Sequence, residues 1–411
     1  MKAEILAVGT EILLGDIVNT NAQYIAKRLA DIGIGVYHQT VVGDNEERLL
    51  KAYELAFERA DIVIATGGLG PTKDDLTKEI GAKYFHKELI LDEDSLNQIE
   101  VFFSRLNRPI GETNKKQAYI PEGARILSNP NGTAPGCIID ENNKILVMLP
   151  GPPKEMIPMF ENHVVPYIEK FSDGVLVSKV LRVVGMGEST MAEIVEDIMD
   201  KFTNPTVAPY AKDFEAILRI TAKAKTKEEA EKLIIPVEKE IRNRLGDNIY
   251  SEGENTLENV VGEMLVSKNL TIATAESCTG GLLAGTLINY PGISASFMEG
   301  AITYSNEAKM KRLGVKEETL AKFGAVSEET AREMAEGIAK AANTDIGISV
   351  TGIAGPGGGT EEKPVGLVYV GLYIKGKVSV KKFNIPRDRQ YVRRRTVMTT
   401  LDWLRRELIK L

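Results

Sequence analysis

Between residues 2 and 170 the chain alternates short apolar runs with stretches of helical spacing, and no other feature restricts its fold as strongly. The runs at 3–8, 35–42 and 61–65 are each followed by apolar residues three and four apart, over 20–32, 46–59 and 74–85. Short, mainly apolar runs alternating with helical periodicity predict parallel strands joined by crossover helices. A further helix is expected over 92–107. Strands at 137–139 and 144–149, separated by the turn signal Glu141-Asn-Asn143, complete one α/β domain.

From about 175 the order changes. Strand 179–184, helix 191–202, strands 206–209 and 216–222, helix 227–245 and a short strand at 248–250 predict a small α+β sandwich, ferredoxin-like or K-homology-like. Its first helix carries Glu193, Glu196, Asp197 and Asp200, and no Gly-x-x-Gly loop joins two helices, which argues against an RNA clamp. A spacer or dimer element is the expectation. A third unit opens with a helix near 255–266 and continues with strands at 270–275, 300–304, 346–350, 366–373 and 378–383 and helices at 328–342 and 389–408. At 411 residues the chain exceeds one ordinary core. The expected domains are 1–172, 173–252 and 253–411, the outer two α/β and the middle one α+β.

Composition narrows the partners. A net charge of −7 argues against bulk binding to nucleic acid or anionic membrane, while small anionic ligands stay open. Cys137 and Cys278 fall in different expected domains, so a disulfide framework is not expected and a reducing cytoplasm fits. No basic leader opens the chain, and no apolar stretch approaches the roughly 18–20 residues of a membrane span.

The chemistry concentrates where strands end. Ser277 lies in Thr274-Ala-Glu-Ser-Cys-Thr-Gly-Gly281, between an apolar strand and a helix-like stretch at 282–288. A hydroxyl at such a turn faces outward, with the helix's first N–H groups beside it for a developing oxyanion. Glu276, Thr279 and Gly280 flank it and are expected to contact substrate. The three histidines, His38, His86 and His163, are all far upstream, so the base must be another residue. Tyr304-Ser-Asn-Glu-Ala-Lys309 supplies Lys309, which can act as a base if desolvation strips its proton. With Lys311 and Arg312 following at once, a solvated helix lysine is the alternative. Cys278 is a rival nucleophile, but a thiol without a paired base stays protonated. A second glycine-rich loop, Thr351-Gly-Ile-Ala-Gly-Pro-Gly-Gly-Gly359, follows another strand; Gly352 and Gly355 could bring backbone N–H groups onto an oxygen, or simply form a flexible turn. Arg387, Arg389, Arg393, Arg394 and Arg395 open the last helix, as a solvated face or with one or two on a phosphate.

The first domain has its own loop, Gly67-Gly-Leu-Gly-Pro-Thr-Lys-Asp-Asp75, between a strand and an expected helix, where anions bind. Gly67, Gly68, Gly70 and Thr72 are the expected ligand contacts there. Asp74 and Asp75 suit either a divalent metal on phosphate oxygens or helix capping. Gly9-Thr-Glu-Ile-Leu-Leu-Gly-Asp16, then Asn19 and Asn21, follows the first strand and should line the same edge, with Thr10 and Asn19 toward the ligand and Glu11 and Asp16 toward the metal. Pro150-Gly-Pro-Pro-Lys-Glu155 is placed to close the pocket, and no Cys or His cluster exists for zinc.

At these motifs the chain resembles the competence/damage-inducible CinA family over essentially its whole length. The runs at 274–281, 304–309, 324–327, 351–356 and 361–366 together resemble that family's C-terminal nicotinamide-nucleotide amidase domain. The resemblance implies hydrolysis of nicotinamide mononucleotide to nicotinate mononucleotide and ammonia, with no cofactor. It makes Ser277 the catalytic serine and Lys309 its partner, with Tyr304 and Thr351 in support and Arg393 facing the substrate. The N-terminal domain resembles the three-layer molybdopterin-binding fold through residues 67–75. It departs at Leu69, where those proteins carry threonine in Gly-Gly-Thr-Gly. The CinA resemblance implies instead a pyrophosphatase that uses a divalent metal ion to cleave ADP-ribose, and a homodimer with a K-homology-type middle segment. Two classes therefore stand side by side: a bifunctional hydrolase of pyridine-nucleotide salvage, or a non-catalytic nucleotide-sensing adaptor linked to competence or recombination. At Ser277 the residues leave two roles, covalent nucleophile or partner to a water activated by Lys309.

Overall fold

The computed structural model describes residues 1–172 and 174–411. Two compact units are present, Met1–Ser178 with Thr221–Ile234, and Lys179–Ile220 with Ile235–Leu411.

The first unit is built on strands β1 (Lys2–Val8), β2 (Gly35–Val42), β3 (Ile62–Thr66), β4 (Leu89–Leu91), β5 (Tyr119–Pro121), β6 (Arg125–Leu127), β7 (Gly136–Glu141) and β8 (Lys144–Leu149). Six of them form one sheet in the order β2-β1-β3-β8-β7-β6, and β4 pairs with β5 separately. The first four strands run parallel, with Leu6 opposite Ala65 and Ala65 opposite Met148; β7 and β6 complete the sheet antiparallel. All five residues of β3 are buried, because helices cover both faces of the sheet. On one face α2 (Thr20–Asp31) and α7 (Pro153–Met159) contribute Ile25, Leu29, Met156 and Met159 to a core shared with Ile5, Ile64 and Val147. On the other, α3 (Glu46–Arg59) and α4 (Thr77–Tyr84) contribute Leu49, Tyr53, Phe57 and Ile80, packed on Leu6, Val63 and Leu146. The unit is thus a three-layer α/β fold. Its remaining helices are α1 (Thr10–Leu14), α5 (Glu93–Arg105), α6 (Glu112–Lys115) and α8 (Val165–Ile168).

Along the middle of the chain, β9 (Val175–Val183), β10 (Thr206–Lys212), β11 (Glu215–Ala224) and β12 (Ile249–Glu252) form a sheet in the order β10-β11-β9-β12, with α9 (Glu188–Lys201) and α10 (Lys227–Leu245) between strands. Asp213 and Phe214 alone join β10 to β11, so the two expected strands are longer than their apolar cores and meet in a tight turn.

The rest of the second unit carries β13 (Ile272–Glu276), β14 (Phe297–Ile302), β15 (Ile346–Gly352), β16 (Leu367–Ile374) and β17 (Lys377–Asn384), ordered β14-β13-β15-β16-β17. The first three are parallel and the last two antiparallel. Helices α11 (Leu257–Ser267), α12 (Leu282–Leu287), α13 (Asn306–Leu313), α14 (Glu317–Phe323), α15 (Glu328–Ala342) and α16 (Arg389–Ile409) complete it. α15 starts where Ser327 Oγ accepts the Thr330 N–H, and it buries Ala331, Met334, Ala335, Ile338 and Ala339, the three-and-four spacing of a face lying on a sheet. It lies so close that a Cβ on Gly347 would stand 2.3 Å from the Ala335 carbonyl oxygen. Among the described residues no helix is long and apolar enough to cross a membrane.

Several expected elements start elsewhere: the strand expected at 300–304 is Phe297–Ile302, and the helix expected at 191–202 begins at Glu188. The helix expected over 74–85 begins only at Thr77, after Leu76, so Asp74 and Asp75 lie in the preceding loop and cap nothing.

Candidate functional site

Ser277 follows directly on β13. Its N–H donates to the Val350 carbonyl of β15 (2.9 Å), and the Thr303 N–H donates to the Glu276 carbonyl (2.8 Å), so the turn is fixed from both neighbouring strands. On one side the chain leaves β14 through Thr303 and Tyr304 into α13, whose start is capped by Ser305 Oγ accepting the Ala308 N–H. That cap sets the helix phase that turns Lys309 inward. Its Nζ lies 3.3 Å from Ser277 Oγ and donates to the carbonyls of Thr303 (2.9 Å) and Tyr304 (3.1 Å).

Lys309 is 1 % exposed. Burial pushes its pKa down from the usual lysine range, opposed only by the nearby Cys278 sulfur. Desolvation penalises the ammonium and favours the neutral amine. A neutral amine has two N–H bonds and one lone pair. With both hydrogens on the Thr303 and Tyr304 carbonyls, the lone pair is left for the Ser277 hydroxyl. The Cys278 thiol is pushed up to about 12, chiefly by burial, which removes it as a rival nucleophile.

Several expected contacts have other duties. Glu276 is 1 % exposed, and its carboxylate accepts the N–H groups of Gly281 (3.0 Å), Leu283 (3.0 Å) and Ala284 (2.8 Å). It therefore caps α12 and is not a substrate contact. It also occupies the helix N–H groups expected to serve as oxyanion donors. The turn amides engaged neither by Glu276 nor by the turn's own carbonyls are those of Cys278 and Thr279. Thr351 donates its hydroxyl to the Ala325 carbonyl (2.6 Å), tying β15 to the 324–327 loop without touching Ser277 or Lys309. Gly352 stays within the β15–β16 ladder opposite Val368. Tyr304 approaches Lys309 through its carbonyl, while its ring is 62 % exposed and its hydroxyl lies 3.5 Å from Arg389 Nη2.

Two arginines of α16 reach the turns beside Ser277. Arg393 Nη2 donates to the Thr279 carbonyl (2.8 Å), and Arg389 Nη1 donates to the Gly355 carbonyl (2.7 Å). Arg393 Nε is buried without a partner, as are the hydroxyls of Thr279 and Thr303. A buried cationic N–H left unpaired is an opening for an anion. Arg389 was one of five equivalent arginines in the sequence; only its place on the first turn of α16 separates it from the others.

The other candidate lies in the first unit, at the carboxyl ends of β1, β3 and β8. A cleft of about 600 Å³ is lined there by Glu11, Asn19, Asn21, Gly67, Gly68, Gly70, Thr72, Asp74 and Asp75, with Asp44, Gln117 and Glu155 among its other walls. Gly67 adopts φ 103°, and a Cβ there would stand 2.0 Å from the Val8 carbonyl, so only glycine lets the loop cross β1. Asp75 turns back onto its own loop, its carboxylate accepting the N–H (2.9 Å) and hydroxyl of Thr72. This fold-back is why the helix waits until Thr77. Lys116 Nζ holds the loop from behind through the carbonyls of Thr72 (3.1 Å) and Asp75 (2.5 Å). Leu69 is buried in the core beneath, and its carbonyl accepts from Gln117 Nε2 (3.1 Å).

Two expected residues are not in the wall. Thr10 gives both its N–H (3.0 Å) and its hydroxyl (2.8 Å) to Asp44, and Asp16 lies beyond the left-handed Gly15 that ends α1. Glu155 is there, from the 150–155 run expected to close the pocket, and so is Asp44, which was overlooked in the sequence; it follows β2 at the same sheet edge, which was the available signal. No three His, Cys, Asp or Glu residues among the described ones converge on a common metal position, so Glu11, Asp16, Asp74 and Asp75 do not form the four-carboxylate set expected. The available donors are all hard oxygens. They fit a cation such as Mg²⁺, which takes one or two carboxylates and completes its shell with water and phosphate oxygens.

Models of known protein families match the chain in three stretches. Residues 4–170 match "Probable molybdopterin binding domain", 178–251 "Damage-inducible protein CinA KH domain" and 254–408 "CinA C-terminal domain". A protein of Clostridium perfringens (strain SM101 / Type A) named as a competence-damage inducible protein is 69% identical over 412 residues, covering 100% of both chains. One of the same name from Clostridium novyi (strain NT) is 68% identical over 410 residues, covering 100% of this chain and 99% of its own. Among solved structures, competence/damage inducible protein CihA from Agrobacterium tumefaciens is 41% identical and covers 36% of this chain and 94% of its own, with a TM-score of 0.35.

Proposed function

This chain belongs to the CinA family of competence-damage inducible proteins, and from that premise we propose that its C-terminal domain hydrolyses the carboxamide of nicotinamide mononucleotide. The observation that carries the reading is the buried Lys309 amine 3.3 Å from Ser277 Oγ, with its two other directions taken by carbonyls. That arrangement favours serine as nucleophile over a serine that merely steadies a water. Ser277 Oγ attacks the carboxamide carbon while its proton passes to Lys309 Nζ. The oxyanion is met by the N–H groups of Cys278 and Thr279, the arrangement that lowers acyl-transfer barriers most. Collapse breaks the C–N bond, and the proton held on Nζ leaves with ammonia. Water, deprotonated by the same amine, then cleaves the ester to nicotinate mononucleotide and restores Ser277. A positioned base of this kind contributes roughly 10²–10⁴-fold. The unpaired Nε of Arg393 suits the nucleotide phosphate. Ser277→Ala should abolish ammonia release without shifting the melting temperature; unchanged turnover contradicts the assignment.

For the N-terminal cleft the reading is a metal-dependent ADP-ribose pyrophosphatase. Its wall holds Glu11, Asp44, Asp74, Asp75 and Glu155 and no lysine, arginine or histidine. Such a wall repels a pyrophosphate unless cations enter with it. One or two of the carboxylates of Glu11, Asp74 and Asp75 would hold a divalent ion, with water and phosphate oxygens in the rest of its shell; such an ion would offset phosphate charge and acidify a coordinated water. The glycine loop brings its backbone close to the phosphates, and the buried Leu69 keeps it closed from below. Both proposed substrates are products of NAD breakdown, and the reading includes a cytoplasmic homodimer, which two cysteines in separate domains and the CinA resemblance support. A nucleotide-sensing adaptor would bind the same ligands and form no product, so the ammonia assay separates the two.

A further inference from the structure

Phe214, at the turn between β10 and β11, has φ 65°. A bulky residue in this left-handed region is strained, and such strain persists only where the surroundings hold it. Glycine would occupy the position freely. What holds phenylalanine there is α16. The Phe214 ring packs on Tyr391 with centroids 5.1 Å apart, and the Arg394 guanidinium lies 5.0 Å over its centre. Arg395 Nη1 donates to the Phe214 carbonyl (3.0 Å), and Arg394 pairs with Asp213 at 3.2 Å. One short turn thus grips residues 391, 394 and 395 of the helix.

The other side of the same helical turns carries Arg389 and Arg393, four residues apart and therefore on one face. These hold the Gly355 and Thr279 carbonyls, in the two loops that flank Ser277. A helix with its side chains is about 10–12 Å across, so a roll of ~20° sweeps an arginine tip by about 2 Å, enough to break a hydrogen bond. Arg389 and Arg393 keep their places only while the roll of α16 is fixed. Val392, Val397, Leu401 and Leu404 seat the body of α16 in the core, and the Phe214 turn adds the grip on its first turns, on the face opposite the two arginines.

The geometry points to Phe214 as a positioning residue for the C-terminal site: the β10–β11 turn locks α16 so that Arg389 and Arg393 are presented to the substrate. The middle segment thereby sets the affinity of the amidase site. Ser277 directly follows β13 and Lys309 stands on α13, so the reacting groups themselves are not moved. This inference rests on the amidase reading for its kinetic test and on geometry alone for its structural one.

In the full-length protein, Phe214→Gly removes the ring and relieves the backbone. It should raise KM for nicotinamide mononucleotide about tenfold, equivalent to ~1.4 kcal/mol, and leave kcat within about twofold. Phe214→Tyr, which keeps the ring against Tyr391, should restore wild-type KM. Tyr391→Leu removes the partner ring from the helix side and should reproduce the rise, which covers the case of a poorly folding glycine variant. Amide hydrogen exchange at 279–284 and 353–356 should quicken in Phe214→Gly and Tyr391→Leu but not in Phe214→Tyr. A wild-type KM in Phe214→Gly, or exchange unchanged at both loops, overturns the proposal. A wild-type protein that releases no ammonia overturns the amidase reading alone, and exchange then decides the role of Phe214.

Discussion

Replacing Glu276 by glutamine should unfold the C-terminal domain at a much lower temperature while leaving substrate affinity intact. The carboxylate accepts three N–H groups at 3.0, 3.0 and 2.8 Å from inside the protein. Glutamine has the same shape but one acceptor oxygen, and its NH₂ would face a donor. At least one buried N–H is then left unpaired, at about 1–3 kcal/mol, and the surviving bonds fall from charge-assisted to neutral strength, losing about 1 kcal/mol each. Loss of a negative charge at the start of α12 adds about 0.3–1 kcal/mol. Together these give about 3–6 kcal/mol. For a domain of this size that corresponds to a fall in melting temperature of about 6–24 °C. Thermal unfolding followed by circular dichroism measures the shift, and KM for nicotinamide mononucleotide measured below the transition gives the control. A shift under about 2 °C with a raised KM would refute the reasoning and return Glu276 to the substrate.

Burial of Lys309 lowers its folded pKa, so between that value and the ordinary lysine value the unfolded chain binds more protons than the native one. Stability should therefore rise with pH through that window, and Lys309→Met should remove that part of the slope; equal slopes in denaturant titrations from neutral to alkaline pH would contradict it. Asp74→Ala combined with Asp75→Ala should abolish metal-dependent ADP-ribose cleavage and leave ammonia release unchanged, read by product chromatography; persistent cleavage would move that site elsewhere.

What the sequence made legible follows from how local each feature is. The β-α alternation and the bounds of β2 come from residue pattern alone, and the Ser277 turn is visible because strand, serine and glycines are contiguous. Lys309 could be named from chemical need, since a serine without a histidine requires another base. Other roles depend on the path the backbone takes or on which strands pair. Nothing in the string distinguishes a glutamate that caps α12 from one that touches substrate; that is settled by the path of the turn, which brings three N–H groups to one carboxylate. Thr10 looked like a ligand contact until parallel pairing of β1 with β2 placed Asp44 beside it. Asp74 and Asp75 looked helical because nothing local reveals that Asp75 folds back onto Thr72. Phe214 carried no signal at all, as neither its left-handed backbone nor its contact with Tyr391 has a pattern in the string.

The central claim is that a neutral Lys309 takes the proton from Ser277, and the pH dependence of kcat/KM for ammonia release tests it most directly. Activity should rise with pH and level off once Lys309 has lost its proton, with the midpoint below the ordinary lysine value because burial lowers it. Activity that stays flat across that range, or that falls as the amine deprotonates, would contradict the account.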